Sequence, residues 1–301
     1  MSLRKSSISE KTFHLAGIVP VAGQPLDFDF PWHDSLMPIA PNYLAVERAV
    51  VECAWAGCET IWIVCNDDMQ PLIRHRLGDY IYDPVTMGRN YGIKPTDERK
   101  PITIYYTPIH PKDRQKRDCL AWSVLYGAQV AFDTSKQISQ WVTPDRYYGA
   151  FPYGIYEPEV LREHRKEISS RRDFCLTYKD RTVRDGEYLG FTFEAEAHRN
   201  FVKVVRSGTG DKVPGKHRLG EIPTERLPLH KKWSARFFSL DKVFESVMVE
   251  KALIAEVKWY HKIDSWKSFC DFAGSGNCLV RPAKCILSYR EWNPTGVDNN
   301  E

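Results

Sequence analysis

HLAGIVPVAG at residues 14–23 and MPIAPNYLAVERAVVECAWAGCETIWIVCNDDMQPLIRHRLGD at residues 37–79 decide the fold of this chain. The first is an apolar run ending in Ala22-Gly23, the pattern of a strand and its turn. In the second, Leu44, Val46, Ala49, Val50, Cys53 and Ala54 recur at helical spacing. Asn42 stands where a helix N-cap belongs and Gly57 where a helix stops. TIWIVC at residues 60–65 is a continuous β-branched and aromatic run, as expected of a strand covered on both faces. Asn66, Asp67 and Asp68 then cap a short helix that carries Pro71 in its first turn and ends at Gly78.

The rhythm continues outward from this block. ITIYY at 102–106 reads as a third strand, and Asp118 opens a helix over 119–132. RYYGAF at 146–151 reads as a fourth strand, stopped by Pro152, and Glu157-Pro158 starts another helix. Alternating strands and helices predict an α/β fold with a mixed, mostly parallel sheet flanked by helices and joined by right-handed crossovers. Beyond residue 170 the pattern predicts strands at 174–178, 188–193 and 201–205, and a Gly/Pro-punctuated loop at 207–232. A strand-like stretch at 236–239 and one long helix over 240–257 complete it. Residues 1–170 are thus expected to form an α/β core. Residues 171–301 form a β-rich C-terminal extension with a helix that completes the same domain.

Composition narrows the class. Of 301 residues, 43% are hydrophobic and 27% charged, and 42 Lys+Arg against 39 Asp+Glu leave a net charge of +3. A disordered chain is excluded. No run reaches the roughly 18 apolar residues of a membrane-spanning helix. The N-terminal segment meets Pro20 and Gly23 before a signal-peptide core forms. Eight cysteines, at 53, 58, 65, 119, 175, 270, 278 and 285, make no C-x-x-C pair. Several lie in apolar runs, which predicts buried reduced thiols and a cytoplasmic location. The nucleophile elbow G-x-S-x-G, the phosphate loop G-x-x-x-x-G-K-[ST] and H-E-x-x-H are all absent, which removes the chemistries they carry.

AGIVPVAG at 16–23 and the whole of 37–79 resemble, in order and spacing, the opening block of the sugar-phosphate nucleotidyltransferases, whose fold is shared with the GT-A type of glycosyltransferase. WYHKIDSW at 259–266 is similar to the W-x-D-I-G-T region near that family's sugar site, and RFFSLDKVFESV at 236–247 to its lead-in. The resemblance implies a nucleotide or nucleotide sugar held where the strands end. Ala22, Gly23 and Gln24 would lie against phosphate, Asp264 would hold Mg²⁺, and Phe151, Tyr153 and Trp266 would lie at the sugar.

The departures carry as much information. Nucleotidyl transfer rests on positioning and on cations that offset phosphate charge. The family's Arg position falls near Gln24-Pro25-Leu26, its Lys position near Leu36-Met37, and its first metal Asp at Ala150-Phe151-Pro152-Tyr153. None of these supplies the expected group. Arg114, Lys116 and Arg117, just ahead of the third long helix, are the candidates to replace the lost cations, set against a plain solvated charge run.

Asp27 and Asp29 form a D-x-D that reads more simply as a loop, Asp67 and Asp68 read as caps, and His33-Asp34 reads as a loop histidine beside an acid. Residues 203–236 hold nine Lys/Arg against three Asp/Glu, but the balanced total charge disfavours nucleic acid. Two readings follow. One is a nucleotidyltransferase-like enzyme with a rearranged site, moving a nucleotidyl or glycosyl group. The other is a catalytically degenerate relative that serves as a binding or assembly component, with a protein partner or a second copy. Aromatics make up 13% of the chain, and their position in strands predicts a cleft that has exchanged metal-binding charge for aromatic surface.

Overall fold

A computed structural model of the chain describes residues 14–23, 29–87, 100–114, 116–138, 143–209, 234–236, 238–247, 249–283 and 286–287. In chain order the first half runs β1 (Leu15–Pro20), β2 (Pro38–Ala40), β3 (Tyr43–Leu44), α1 (Ala45–Ala56), β4 (Thr60–Cys65), α2 (Gln70–Leu77), β5 (Tyr80–Tyr82), α3 (Pro84–Met87), β6 (Pro101–Pro108), α4 (Pro111–Arg114), α5 (Leu120–Ile138), β7 (Arg146–Gly149) and β8 (Gly154–Ile155). The rest comprises α6 (Leu161–Ile168), β9 (Phe174–Thr177), β10 (Phe191–Phe193), α7 (Ala195–Ser207), α8 (Leu240–Phe244), β11 (Leu253–Glu256), β12 (His261–Lys262) and α9 (Trp266–Ala273).

Eight strands form one sheet in the order β11-β9-β10-β7-β1-β4-β6-β5. β1 lies at its middle, parallel to both β4 and β7, and every one of its residues is buried. β6 continues parallel beyond β4, while β5 and β10 run antiparallel to their neighbours. Because β10 reverses between β7 and β9, β9 and its parallel partner β11 regain the direction of β1. Six strands therefore end at the same edge, where ligands bind in open α/β sheets. β9, β10 and β11 extend the sheet that β1 centres, so the C-terminal residues supply strands to it.

β4 occupies the residues read as a strand, and Gly57 closes α1 in the left-handed conformation (φ 92°). Asn42 is not the N-cap. It takes a left-handed φ of 55° in the turn between β2 and β3, and α1 starts at Ala45. There the Glu47 carboxylate accepts the Leu44 N–H at 2.8 Å, which caps the first turn from inside the helix.

The stretch at 201–205 is helical, not a strand. Phe201 and Val205 are buried while Lys203 is exposed, a four-residue spacing that one face of α7 satisfies. The long helix over 240–257 is also not formed. It divides into the five-residue α8, a 3-10 turn at Val249–Lys251, and β11, which pairs with β9. LIAE fits either period, and a free sheet edge decides for the strand. Residues 234–236 belong to no strand; Ala235 N–H donates instead to Lys116 C=O at 2.8 Å, ahead of α5.

No helix among the described residues is long and apolar enough to cross a membrane. Cys53, Cys58, Cys65, Cys119 and Cys175 are free and buried, and Cys270 and Cys278 are free and exposed; Cys285 lies outside the described residues. Burial pushes the Cys65 and Cys175 thiols up to about 12 and Cys119 to about 11, far from the reactive thiolate range. Maleimide labelling with peptide mapping is expected to mark Cys270 and Cys278 in the native protein. The five buried thiols should label only after unfolding; rapid native labelling of Cys53 would contradict their burial.

Candidate functional site at the strand ends

The chain leaves β1 with Val21 and Ala22, whose N–H groups both donate to Val64 C=O at 2.8 Å. Ser123, in the first turn of α5, donates its hydroxyl to Ala22 C=O. Gly23 takes φ 152°, and a Cβ there would lie 2.6 Å from Leu120 N and 2.9 Å from the Cys119 carbonyl carbon. Glycine is required because the α5 backbone itself fills the space beside it. Gln24 and Asp27 lie outside the described residues, as do 210–233 of the basic segment; Asp29 is described and has a left-handed φ of 58°.

Past β4, Asn66 C=O accepts the N–H groups of Met69 and Gln70 at 3.1 and 3.0 Å, and Asp68 accepts the Met69 N–H at 3.0 Å. Asp67 does not cap α2. It pairs with Arg114 at 2.6 Å across the strand ends. Arg117 pairs with Asp113 at 2.7 Å, and its guanidinium lies 5.2 Å from the Trp122 ring. Lys116 C=O anchors Ala235. Of the three candidate cations, both arginines therefore already face a carboxylate.

The structure also holds buried polar atoms that sequence reasoning missed. Trp32 Nε1, Asn66 Oδ1, Asp118 Oδ1 and Arg236 Nε are buried and have no hydrogen-bond partner among the described residues. Asp118 interacts electrostatically with Arg236 and Arg114, Asn66 precedes Asp67, the partner of Arg114, and Trp32 stands with Phe30, Trp266 and Phe269. Burial pushes the Asp118 carboxyl up, against the opposing pull of Arg236 and Arg114. Burial also lowers the His33 pKa, while Asp68 works in the other direction. Buried polar groups without partners are uncommon, and a ligand is one way to satisfy them.

Phe151 and Tyr153 are not at a cleft. Both are wholly buried. The Phe151 ring stacks on Phe191 (centroids 6.2 Å, 8°), and Tyr153 donates its hydroxyl to Val21 C=O at 3.3 Å. Where the family's first metal Asp would stand, the chain has turned inward. Beneath this turn, Arg48 of α1 donates to Phe151 C=O at 2.7 Å and pairs with Glu52 at 2.9 Å, both side chains fully buried. An internal arginine thus organises the loop.

Asp264 is exposed just before α9; its backbone N–H donates to Ser268 Oγ at 3.0 Å, and its carboxylate accepts the Ser265 hydroxyl at 3.3 Å. Trp266 is 44% exposed and stands in an aromatic cluster with Phe30, Trp32 and Phe269, at ring separations of 5.2 to 6.2 Å. Of Phe151, Tyr153 and Trp266, Trp266 alone is exposed, and its aromatic neighbours are Phe30, Trp32 and Phe269. The FPW run at 30–32 was the unread signal of this cluster. For a divalent cation the donors do not fit, since such ions require several oxygen ligands. No group of three His, Cys, Asp or Glu able to hold a metal ion occurs among the described residues, and the Ala150-Phe151 position offers no carboxylate.

No protein-family model matches the chain, and no curated protein matches it. Solved structures do. A protein from Bacillus anthracis assigned as a glucose-1-phosphate thymidylyltransferase, solved with sucrose, superposes with a TM-score of 0.51 over 86% of this chain and 93% of its own, at 11% identity. The fold is nucleotidyltransferase-like. A UDP-glucose pyrophosphorylase solved with UDP-glucose aligns over 87% of this chain and 97% of its own, at 10% identity and a TM-score of 0.49. At 11% identity the first of these carries the fold alone and leaves the chemistry to the residues themselves.

Proposed function

We propose that the protein binds a nucleotide or nucleotide sugar at the edge where β1, β4 and β7 end. The observation that supports this reading is the set of buried polar atoms without partners on Asn66, after β4, and on Asp118 and Arg236, which interact electrostatically ahead of α5. Arg114, Lys116 and Arg117 supply cationic charge there, and Trp32 and Trp266 supply flat surface for a base or sugar. Transfer of a nucleotidyl group to a sugar phosphate is the further step the resemblance implies. Asp264 would be the carboxylate for Mg²⁺ in that step, but its surroundings do not fit a metal, and no step is derived through one.

The second reading is a degenerate relative that binds a ligand or a protein partner without catalysis. It is favoured by the inward turn at Ala150-Phe151, where the core occupies the position of a metal ligand.

Thermal unfolding with nucleoside triphosphates and nucleoside diphosphate sugars tests the binding. A ligand at 100 times its Kd is expected to add about 2.7 kcal/mol, with EDTA present or absent. Asn66→Ala is expected to weaken that binding about tenfold. Stability unchanged by every such ligand would sink the binding reading. Stabilisation that requires Mg²⁺ and disappears in Asp264→Ala would restore the metal.

A further inference from the structure

We propose that two copies of this chain pair edge to edge through β11, across a two-fold axis at Ile254. The two ends of the eight-stranded sheet differ. At one, Ile81 of β5 bridges Leu287 and Tyr82 N–H donates to Ile286 C=O at 3.1 Å, so the chain's own later residues lie along that edge. At the other, β11 pairs with β9 and with no further strand among the described residues. Leu253 N–H donates to Asp173 C=O at 2.7 Å and Val257 N–H to Thr177 C=O at 2.9 Å. Edge groups alternate along a strand, so the N–H and C=O groups of Ile254 and Glu256 point away from β9. Neither N–H has a hydrogen-bond partner among the described residues. Proline and bulges commonly blunt such an edge. LIAE contains no proline, its register with β9 runs unbroken, and the Ile254 side chain is 50% exposed.

The residues along this edge select a second copy as the occupant. An isologous contact requires that residue i meet j and j meet i. Antiparallel pairing with Ile254 opposite its own copy meets that condition and sets Glu256 opposite Ala252. The two Ile254 residues then exchange both backbone hydrogen bonds, and each Glu256 N–H reaches an Ala252 C=O. The Ala252 N–H is already given to Val249 C=O at 3.1 Å, so nothing is asked of it. On the exposed face the two Ile254 side chains meet as a cross-strand aliphatic pair. Lys258, exposed and without an ion pair among the described residues, comes opposite the turn that carries Glu250, whose carboxylate already holds Arg184 at 2.7 Å. An axis at Ala255 would instead set Ile254 against Glu256 and Lys258 against Ala252, and both matches would be lost. A foreign strand would need neither match, whereas a second copy supplies both at once.

Sedimentation equilibrium of the full chain between about 5 and 300 µM tests the pairing, because a small interface shows its mass action in that range. The wild-type chain is expected to pass from monomer to dimer across it. Ile254→Lys sets two like charges on the axis and is expected to stay monomeric, with the thermal unfolding of the dilute protein unchanged. The register is tested by Ile254→Cys in a chain whose Cys270, Cys278 and Cys285 are serine. Residues in a hydrogen-bonded antiparallel pair have Cα atoms about 5.5 Å apart, within disulfide range. Mild oxidation is therefore expected to convert most of that variant to a covalent dimer. Glu256→Cys, about 13 Å from its own copy at roughly 3.4 Å per residue, is expected to stay unlinked. A wild-type chain still monomeric at the highest concentration would overturn the inference and leave the edge to another occupant. So would a dimer that survives Ile254→Lys, or linkage of Glu256→Cys in preference to Ile254→Cys.

Discussion

Replacing Glu52 with alanine is expected to destabilise the protein by about 3–5 kcal/mol, the range for removing one partner of a buried ion pair. Glu52 is wholly buried, and three side chains donate to it. Arg48 donates to one carboxylate oxygen at 2.9 Å, and Tyr148 donates to the other at 2.8 Å, with Tyr156 donating to that same oxygen. The Arg48 guanidinium also lies 4.6 Å from the Tyr156 ring. Burial works against the Arg48 charge, and Glu52 and the two phenols beside it more than restore it, so its pKa rises above the ordinary arginine value. Without the carboxylate that balance is lost: the core keeps an uncompensated charge, held only by Phe151 C=O, and two hydroxyls that have lost their acceptor. The pair Arg48→Met with Glu52→Leu is expected to recover most of the loss, since apolar replacement of both partners is often neutral. Urea unfolding followed by tryptophan fluorescence measures both variants. A loss below about 1 kcal/mol in Glu52→Ala would show that the network contributes little. The outcome bears on the candidate site, because Arg48 also holds Phe151 C=O and with it the turn after β7.

Much of the α/β core was legible because its strands are covered on both faces. β1 and β4 are buried along nearly their whole length, so each reads as an unbroken apolar run between turn residues. α1 and α5 were legible from helical spacing. The C-terminal elements were less so, because FVKVV in α7 and LIAE in β11 are short apolar runs compatible with either period. Only their packing on neighbouring elements decides between them. The candidate site was read in part against its packing. Gly23 was read as letting the backbone approach a phosphate, whereas the group packed against it is the backbone of α5. Phe151 and Tyr153 were placed at a surface because the sequence gives their distance from β7 and not the direction of the turn after it. Nothing local in the sequence reports that an arginine 103 residues earlier holds that turn from below. The unpartnered atoms of Asn66 and Asp118 were hidden because both residue types also open helices, which is how each was read.

Gly154→Ala is expected to destabilise the protein by about 3 kcal/mol or more, at the upper end for inserting a carbon into a packed interior. A Cβ at residue 154 would lie 1.9 Å from the Tyr188 carbonyl oxygen and 2.8 Å from its carbonyl carbon. Backbone cannot step aside as a side-chain tip can, and here both backbones are held. Gly154 is paired with Lys262 across β8 and β12, and Ile263 N–H donates to Tyr153 C=O at 2.9 Å. Tyr188 N–H donates to the Tyr260 hydroxyl at 2.8 Å. The methyl group must therefore part β8 from β12 or push Tyr188 from Tyr260. Gly276, with nothing within 4 Å of its absent Cβ, is the control, and Gly276→Ala is expected to change stability by no more than about 0.5 kcal/mol. Equal stability of the two variants in denaturant unfolding would refute the clash. The junction also bears on the proposed nucleotide site, because β12 leads directly to Asp264 and α9, which carries Trp266 against Trp32. If the proposed site binds nucleotide, displacing β12 should weaken that binding, whereas Gly276→Ala should leave it unchanged.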